Sequence, residues 1–163
     1  SHLFNAILIL FLAFLLYKRV PSLYHNFKSQ NQSAPEFSVE VLNNSAFEMN
    51  ELKEKKVIVF WATWCAACSV ELNRLNKMIQ SKEIPQNGVL AISIQETKDV
   101  VEAAVKERGY LFDVALDTSG SVAEKFSVVG TPTVIFIDEE RITRWMSTGL
   151  SPTLEHRVKN FLQ

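Results

Sequence analysis

Hydrophobic positions along the 163 residues fall into blocks whose spacing predicts a run of elements. "VIVFW" (57–61) and "VLAISI" (89–94) are unbroken apolar runs rich in β-branched residues, the mark of strands buried on both faces. Between them Cys68, Leu72, Leu75 and Ile79 recur at steps of four, three and four. That spacing predicts a helix from about Ala66 to Gln80, broken by "EIPQNG" (83–88). "TKDVVEAAVKERG" (97–109) reads as a helix with Thr97 at its N-cap and Gly109 as its stop. "FDVAL" (112–116) is a short strand and "SGSVAEKF" (119–126) a short helix. "TVIFID" (133–138) and "RITRWMST" (141–148) are two strands around a tight acidic turn. "SPTLEHRVKNFL" (151–162) opens with Ser151 at the N-cap and Pro152 at the first helical position. Ahead of all these, "FSVEV" (37–41) alternates and reads as an edge strand. From the strand at 57–61 the order is β-α-β-α-β-α-β-β-α. This predicts an α/β sheet, parallel at first with helices on both sides, ending in an antiparallel pair.

The N-terminus differs. From Leu3 to Tyr17, "LFNAILILFLAFLLY" carries no charge and is nearly all apolar, and Lys18, Arg19 and Pro21 end it. A bilayer-spanning helix needs roughly 20 such residues, with about 17 as a lower limit, and this run is shorter. No A-x-A-like cleavage site follows, which argues against a removed signal peptide. Apart from Asn5 there is no polar face, which argues against a core helix. Residues 1–19 are read as a membrane anchor or signal-anchor. Residues 20–35, within the polar run "SLYHNFKSQNQSAPE" (22–36), are read as a linker, and 36–163 as the domain. Lys18 and Arg19 on the domain side run against the positive-inside tendency.

Composition narrows the field. Hydrophobic residues at 47 % suffice for a core, and a net charge of −1 offers neither a basic field for nucleic acid nor an acidic tail. The two cysteines sit together in "FWATWCAACSVEL" (60–72), as Cys65 and Cys68. A structural zinc wants four ligands, and the other candidates, His2, His25 and His156, are scattered. A staple across two intervening residues closes too small a loop to stabilise much. Position favours redox chemistry. A strand ends at Trp61 and a helix begins near Cys65, so Cys65 lies where unpaired N–H groups and the helix dipole favour a thiolate. Cys68 is one turn further on the same face, within reach of a mixed disulfide on Cys65. Glu71, three residues beyond Cys68 on that stripe, is either a proton carrier for the resolving thiol or a solvated helix glutamate.

"FWATWCAAC" resembles the thioredoxin superfamily. More narrowly, residues 36–163 resemble the membrane-anchored TlpA/ResA-like, or DsbE-like, reductases of the bacterial cell envelope. "WCAAC" follows the buried strand, an extra helix and strand (97–116) are inserted, and "LDTSGSVAEKFSVVGTPTVIFID" (116–138) is similar to the family's second half. The resemblance implies a thioredoxin fold, with a central mixed sheet flanked by helices and a helix–strand insertion. It implies Cys65 as exposed nucleophile, Cys68 as resolving thiol, and Pro132 as a cis-proline opposite them. A trans proline opening an edge strand is the other reading of Pro132. Thr131 and Pro132 would offer backbone to an extended substrate. Trp64 would be a partly exposed substrate contact and Trp61 a packing residue. ResA-like members have a functional glutamate at the place of Glu71. Val59 stands where thioredoxin has a buried aspartate, so Glu71 is the favoured proton carrier. The family usually has proline where this chain has Ala67, so the reductive direction comes from the resemblance and not from Ala66-Ala67.

The expected function is reduction of disulfides in cell-envelope proteins, extending to cytochrome c maturation. No cofactor is expected beyond the redox-active Cys65–Cys68 disulfide. Expected partners are disulfide-containing envelope proteins and a membrane electron donor. The expected protein is a monomer held by residues 3–17 in a bacterial inner membrane, its domain in the periplasm, where disulfides occur. The serious rival is a disulfide oxidase or isomerase of the same fold. A copper-binding assembly factor would use C-x-x-x-C with a distal histidine, and only His156 lies downstream. A peroxiredoxin-like peroxidase needs threonine three residues before its reactive cysteine, where Ala62 stands.

Overall fold

The two unbroken apolar runs form the middle of one eight-stranded sheet in the computed structural model, which describes residues 4–14, 17, 20, 30–43 and 45–163. The strands are β1 (Gln32–Ser33), β2 (Ser38–Val41), β3 (Ala46–Glu48), β4 (Lys56–Trp61), β5 (Val89–Ile94), β6 (Asp113–Asp117), β7 (Thr133–Ile137) and β8 (Ile142–Thr148). The helices of this part are α1 (Ala66–Gln80), α2 (Lys98–Arg108), α3 (Ser121–Lys125) and α4 (Leu154–Leu162). The sheet order is β1-β8-β7-β4-β5-β6-β2-β3. β4, β5 and β6 run parallel, joined through α1 and α2, and both flanks are antiparallel.

β4 shows why such a strand carries no polar alternation. Val57, Val59 and Trp61 point into one core, Ile58 and Phe60 into the other, and all five are fully buried. The first core is closed by α1 (Cys68, Leu72, Leu75, Ile79), α2 (Val101, Ala104) and α4 (Leu154, Val158). The second is closed by Val122 and Ala123 of α3, by Phe126, and by Phe37 and Met49 from the N-terminal arm. Helices thus lie on both faces, but the three long ones share one.

Three readings change. β2 is not an edge, because β3, three residues long and partly polar, pairs outside it. Residues 31–34, inside the stretch read as linker, are tied to β8: Asn31 N–H donates to Thr143 O (2.7 Å) and Ala34 N–H to Arg141 O (2.8 Å). Residues 21–29 of that stretch lie outside the described residues. α4 begins at Leu154 with Thr153 as its N-cap, not at Ser151, whose carbonyl closes a turn by accepting from Leu154 N–H (3.2 Å). Thr97 and Gly109 hold as read: Thr97 is the N-cap of α2, without a side-chain hydrogen bond, and Gly109 stops that helix with a left-handed φ of 63°.

Residues 4–14 are helical, and Phe4, Ile7, Leu10 and Phe11 are exposed. At 1.5 Å per residue this stretch rises about 16 Å, roughly half of a hydrocarbon core. Among the described residues no helix is long and apolar enough to cross a membrane, so the expected spanning helix is not found there. Leu3, Leu15, Leu16, Lys18 and Arg19 of the expected anchor lie outside the described residues.

Candidate active site

β4 delivers the chain to the site. It ends at Trp61, and Cys65 N–H donates to Ala62 O (3.1 Å), closing a turn with Trp64 at its tip, 79 % exposed. Cys65 is the N-cap of α1, and its Sγ accepts from Cys68 N–H at 3.1 Å. The two cysteines are joined as a disulfide with their Cα atoms 5.2 Å apart. Cys68 is fully buried while Cys65 keeps 7 % of its surface, so an incoming sulfur meets Cys65 first. On reduction the N–H now aimed at Cys65 Sγ, together with the dipole of a fifteen-residue helix, is placed to stabilise a thiolate there. Trp61 lies fully buried, edge-on to Tyr110 at 6.0 Å, as its packing role requires.

The second half of the chain supplies the facing loop. The Thr131–Pro132 peptide is cis, so the trans reading of Pro132 fails. Pro132 O accepts from Gly149 N–H (2.7 Å), so that carbonyl is engaged within the fold. A cleft of about 630 Å³ runs between this loop and the redox turn, lined by Trp64, Ile94, Val129, Gly130 and Thr131, with Glu124 as a charged residue in its wall. Trp64 and Thr131 therefore share one concave surface. Val129, Gly130 and Glu124 carried no signal of their own in the sequence.

Glu71 belongs elsewhere. It is fully buried, so the solvated reading fails. Its Oε1 accepts from Ser151 N–H (2.6 Å), and its Oε2 from Arg74 Nη1 (3.3 Å). The same guanidinium nitrogen donates to Ser151 O (3.3 Å). The carboxylate thus fastens α1 to the turn that leads into α4, and it does not line the cleft. Among the described residues no group of three or more histidine, cysteine, aspartate and glutamate side chains is placed to hold a metal ion. His156, on α4, is bonded to Asn160 (3.0 Å).

Residues 30–146 match the AhpC/TSA family. The thiol-disulfide oxidoreductase ResA of Bacillus subtilis is 30% identical over 139 residues, which cover 83% of this chain and 76% of ResA. The crystal structure of StoA from Bacillus subtilis superimposes with a TM-score of 0.68 at 16% identity, over 80% of this chain and 98% of StoA. MTB dsbF, solved in mixed oxidised and reduced forms, superimposes with a TM-score of 0.66 at 25% identity, over 77% and 94% of the two chains. The fold is thioredoxin-like: a mixed central sheet flanked by helices.

The buried Glu71 contacts set an expectation for stability. Glu71→Ala leaves Ser151 N–H without its acceptor and takes from the Arg74 guanidinium one of its partners, Ser151 O and Glu155 remaining, and is expected to cost about 2–3 kcal/mol in urea unfolding of the oxidised protein. Glu71→Gln, which keeps an acceptor for Ser151, is expected to cost about 1 kcal/mol. An Ala variant as stable as the parent would remove the fastening role.

Proposed function

The chain belongs to the AhpC/TSA family, and with the thiol-disulfide oxidoreductase ResA among its relatives we propose a thiol–disulfide oxidoreductase that reduces disulfides of cell-envelope proteins. The observation that carries the reading is the Cys65–Cys68 disulfide capping α1 just after Trp64, which lines the cleft shared with Thr131. In the reduced enzyme the Cys65 thiolate attacks one sulfur of a substrate disulfide, forming a mixed disulfide and releasing one substrate thiolate. Cys68 then attacks Cys65 Sγ, the second substrate thiolate leaves, and the enzyme is left oxidised. Two electrons have passed to the substrate, and an external dithiol returns the enzyme to its reduced form by the reverse exchange. No bound cofactor is needed for this cycle.

Trp64 gives the substrate an apolar contact, and Thr131 gives it backbone to pair with. Pro132 shapes the facing loop. Glu71, one turn beyond Cys68, is the carboxylate assigned to proton exchange with the resolving thiol, alongside its fastening contacts. The uncharged run 3–17, helical over 4–14, supports a membrane anchor, with the domain on the oxidising side of a bacterial inner membrane as a monomer. A membrane dithiol donor and disulfide-bearing envelope proteins, cytochrome c precursors among them, are the partners this arrangement calls for. ResA, the named relative, supports the oxidoreductase reading over copper handling.

Cys65→Ser is expected to abolish disulfide exchange, and Cys68→Ala to accumulate Cys65 mixed disulfides in native cells, recoverable by non-reducing electrophoresis. Turnover retained by Cys65→Ser would overturn the assignment. In intact spheroplasts the domain is expected to be digested by added protease, and protection there contradicts the periplasmic placement.

A further inference from the structure

Thr63, two residues before Cys65, has every polar atom bonded to a charged side chain. Its N–H donates to Glu96 Oε2 (2.9 Å), and its hydroxyl donates to Glu96 Oε1 (2.5 Å). Its carbonyl accepts from Arg108 Nη2 (2.8 Å). Glu96 is itself steadied by Ser93 Oγ (2.7 Å), at the end of β5. Arg108 is the last residue of α2, and its guanidinium carbon lies 5.9 Å from the centre of the Trp61 ring. Glu96 and Arg108 bracket α2, the helix of the segment that resembles the family's insertion. They come from opposite ends of it to grip one residue of the redox turn.

We infer that Glu96 and Arg108 are positioning residues for the dithiol, and that the inserted helix serves to bring them to Thr63. The contacts fix Thr63 at both of its peptide groups. The turn closed by Cys65 N–H and Ala62 O is thereby held, Trp64 stays presented at its tip, and the Cys68 N–H stays aimed at Cys65 Sγ. Packing alone does not select such a cluster. Arg108 Nη1, Trp61 Nε1 and Tyr110 Oη are buried with no protein hydrogen-bond partner among the described residues. An apolar side chain at position 108 would fill that space without burying an unpaired donor. The arginine is explained by the Thr63 carbonyl it holds.

The charges of the two residues act on the thiolate with opposite signs, which separates positioning from simple electrostatics. The charged groups around the turn are Glu96 and Arg108, with Glu124 in the cleft wall and the Glu71–Arg74 pair further along α1. If charge alone mattered, removing Glu96 would favour the Cys65 thiolate and speed its reactions. If the grip matters, removing either residue loosens the N–H groups aimed at the sulfur and slows them.

The inference rests on Cys65 being the nucleophile, and the test keeps the two apart. The reduced full-length protein is alkylated with iodoacetamide across a pH series, and modification of Cys65 is followed by mass spectrometry. Glu96→Ala and Arg108→Met are each expected to slow alkylation of Cys65 at pH 7 by about fivefold and to shift the midpoint of the pH profile upward. Arg108→Lys, which keeps a donor for the Thr63 carbonyl, is expected to restore part of the rate. Should Glu96→Ala fail to fold, Thr63→Val removes the hydroxyl that Glu96 holds without changing any charge, and is expected to slow the reaction as well. An unchanged Arg108→Met profile, or a Glu96 or Thr63 variant that reacts as fast as the parent or faster, overturns the positioning role. A parent protein whose Cys65 reacts no faster than Cys68 overturns the reading of Cys65 instead.

Discussion

The bond from Cys68 N–H to Cys65 Sγ is the contact on which the rest of the site depends. It exists because β4 stops at Trp61 and α1 starts at Ala66, leaving Cys65 as the cap. A helix start has N–H groups with no carbonyl to receive them, and here a sulfur takes the place of the usual hydroxyl or carboxylate. The same geometry places Cys68 inside the first turn, buried, and Cys65 at the rim. The division of labour between the two thiols therefore follows from where the strand ends, and β4 is buried on both faces and paired on both edges.

Much of this was legible because it is local. The steps between Cys68, Leu72, Leu75 and Ile79 report burial against one face of the sheet, and all four residues are buried there. The apolar runs of β4 and β5 report burial on two faces. Glu71 lies on the same stripe as Cys68, but the stripe left open whether its carboxylate is solvated, and the structure buries it fully. What failed was decided at a distance. Ser151 and Pro152 carry a good local helix start, but the Ser151 carbonyl accepts from Leu154 N–H, three residues on, and from Arg74, 77 residues earlier, so Ser151–Leu154 forms a turn and the helix starts at Leu154. β1 and β3 consist of two and three residues and pair through backbone groups, so no side-chain pattern announces them.

The grip on Thr63 is the clearest case of what a linear reading misses. β4 and β5 pair in parallel with Trp61 opposite Ser93. That register carries Glu96, three residues past Ser93, to Thr63, two residues past Trp61. Neither residue stands out in the sequence, and Thr97 next door reads as an ordinary cap. The site is thus built in two layers. The redox turn and its facing cis-proline loop are written in short motifs, while the residues that steady the turn are set by strand register.

Direction of electron flow is the central claim that the motif leaves to the environment, since Ala66 and Ala67 bring neither charge nor an imide ring to the turn. The measurement that bears on it most directly is the reduction potential of the Cys65–Cys68 couple, by equilibration of the purified domain in dithiol–disulfide buffers. A value near or below about −250 mV is expected for a reductase. A value near about −120 mV, that of a strong oxidant, would contradict it.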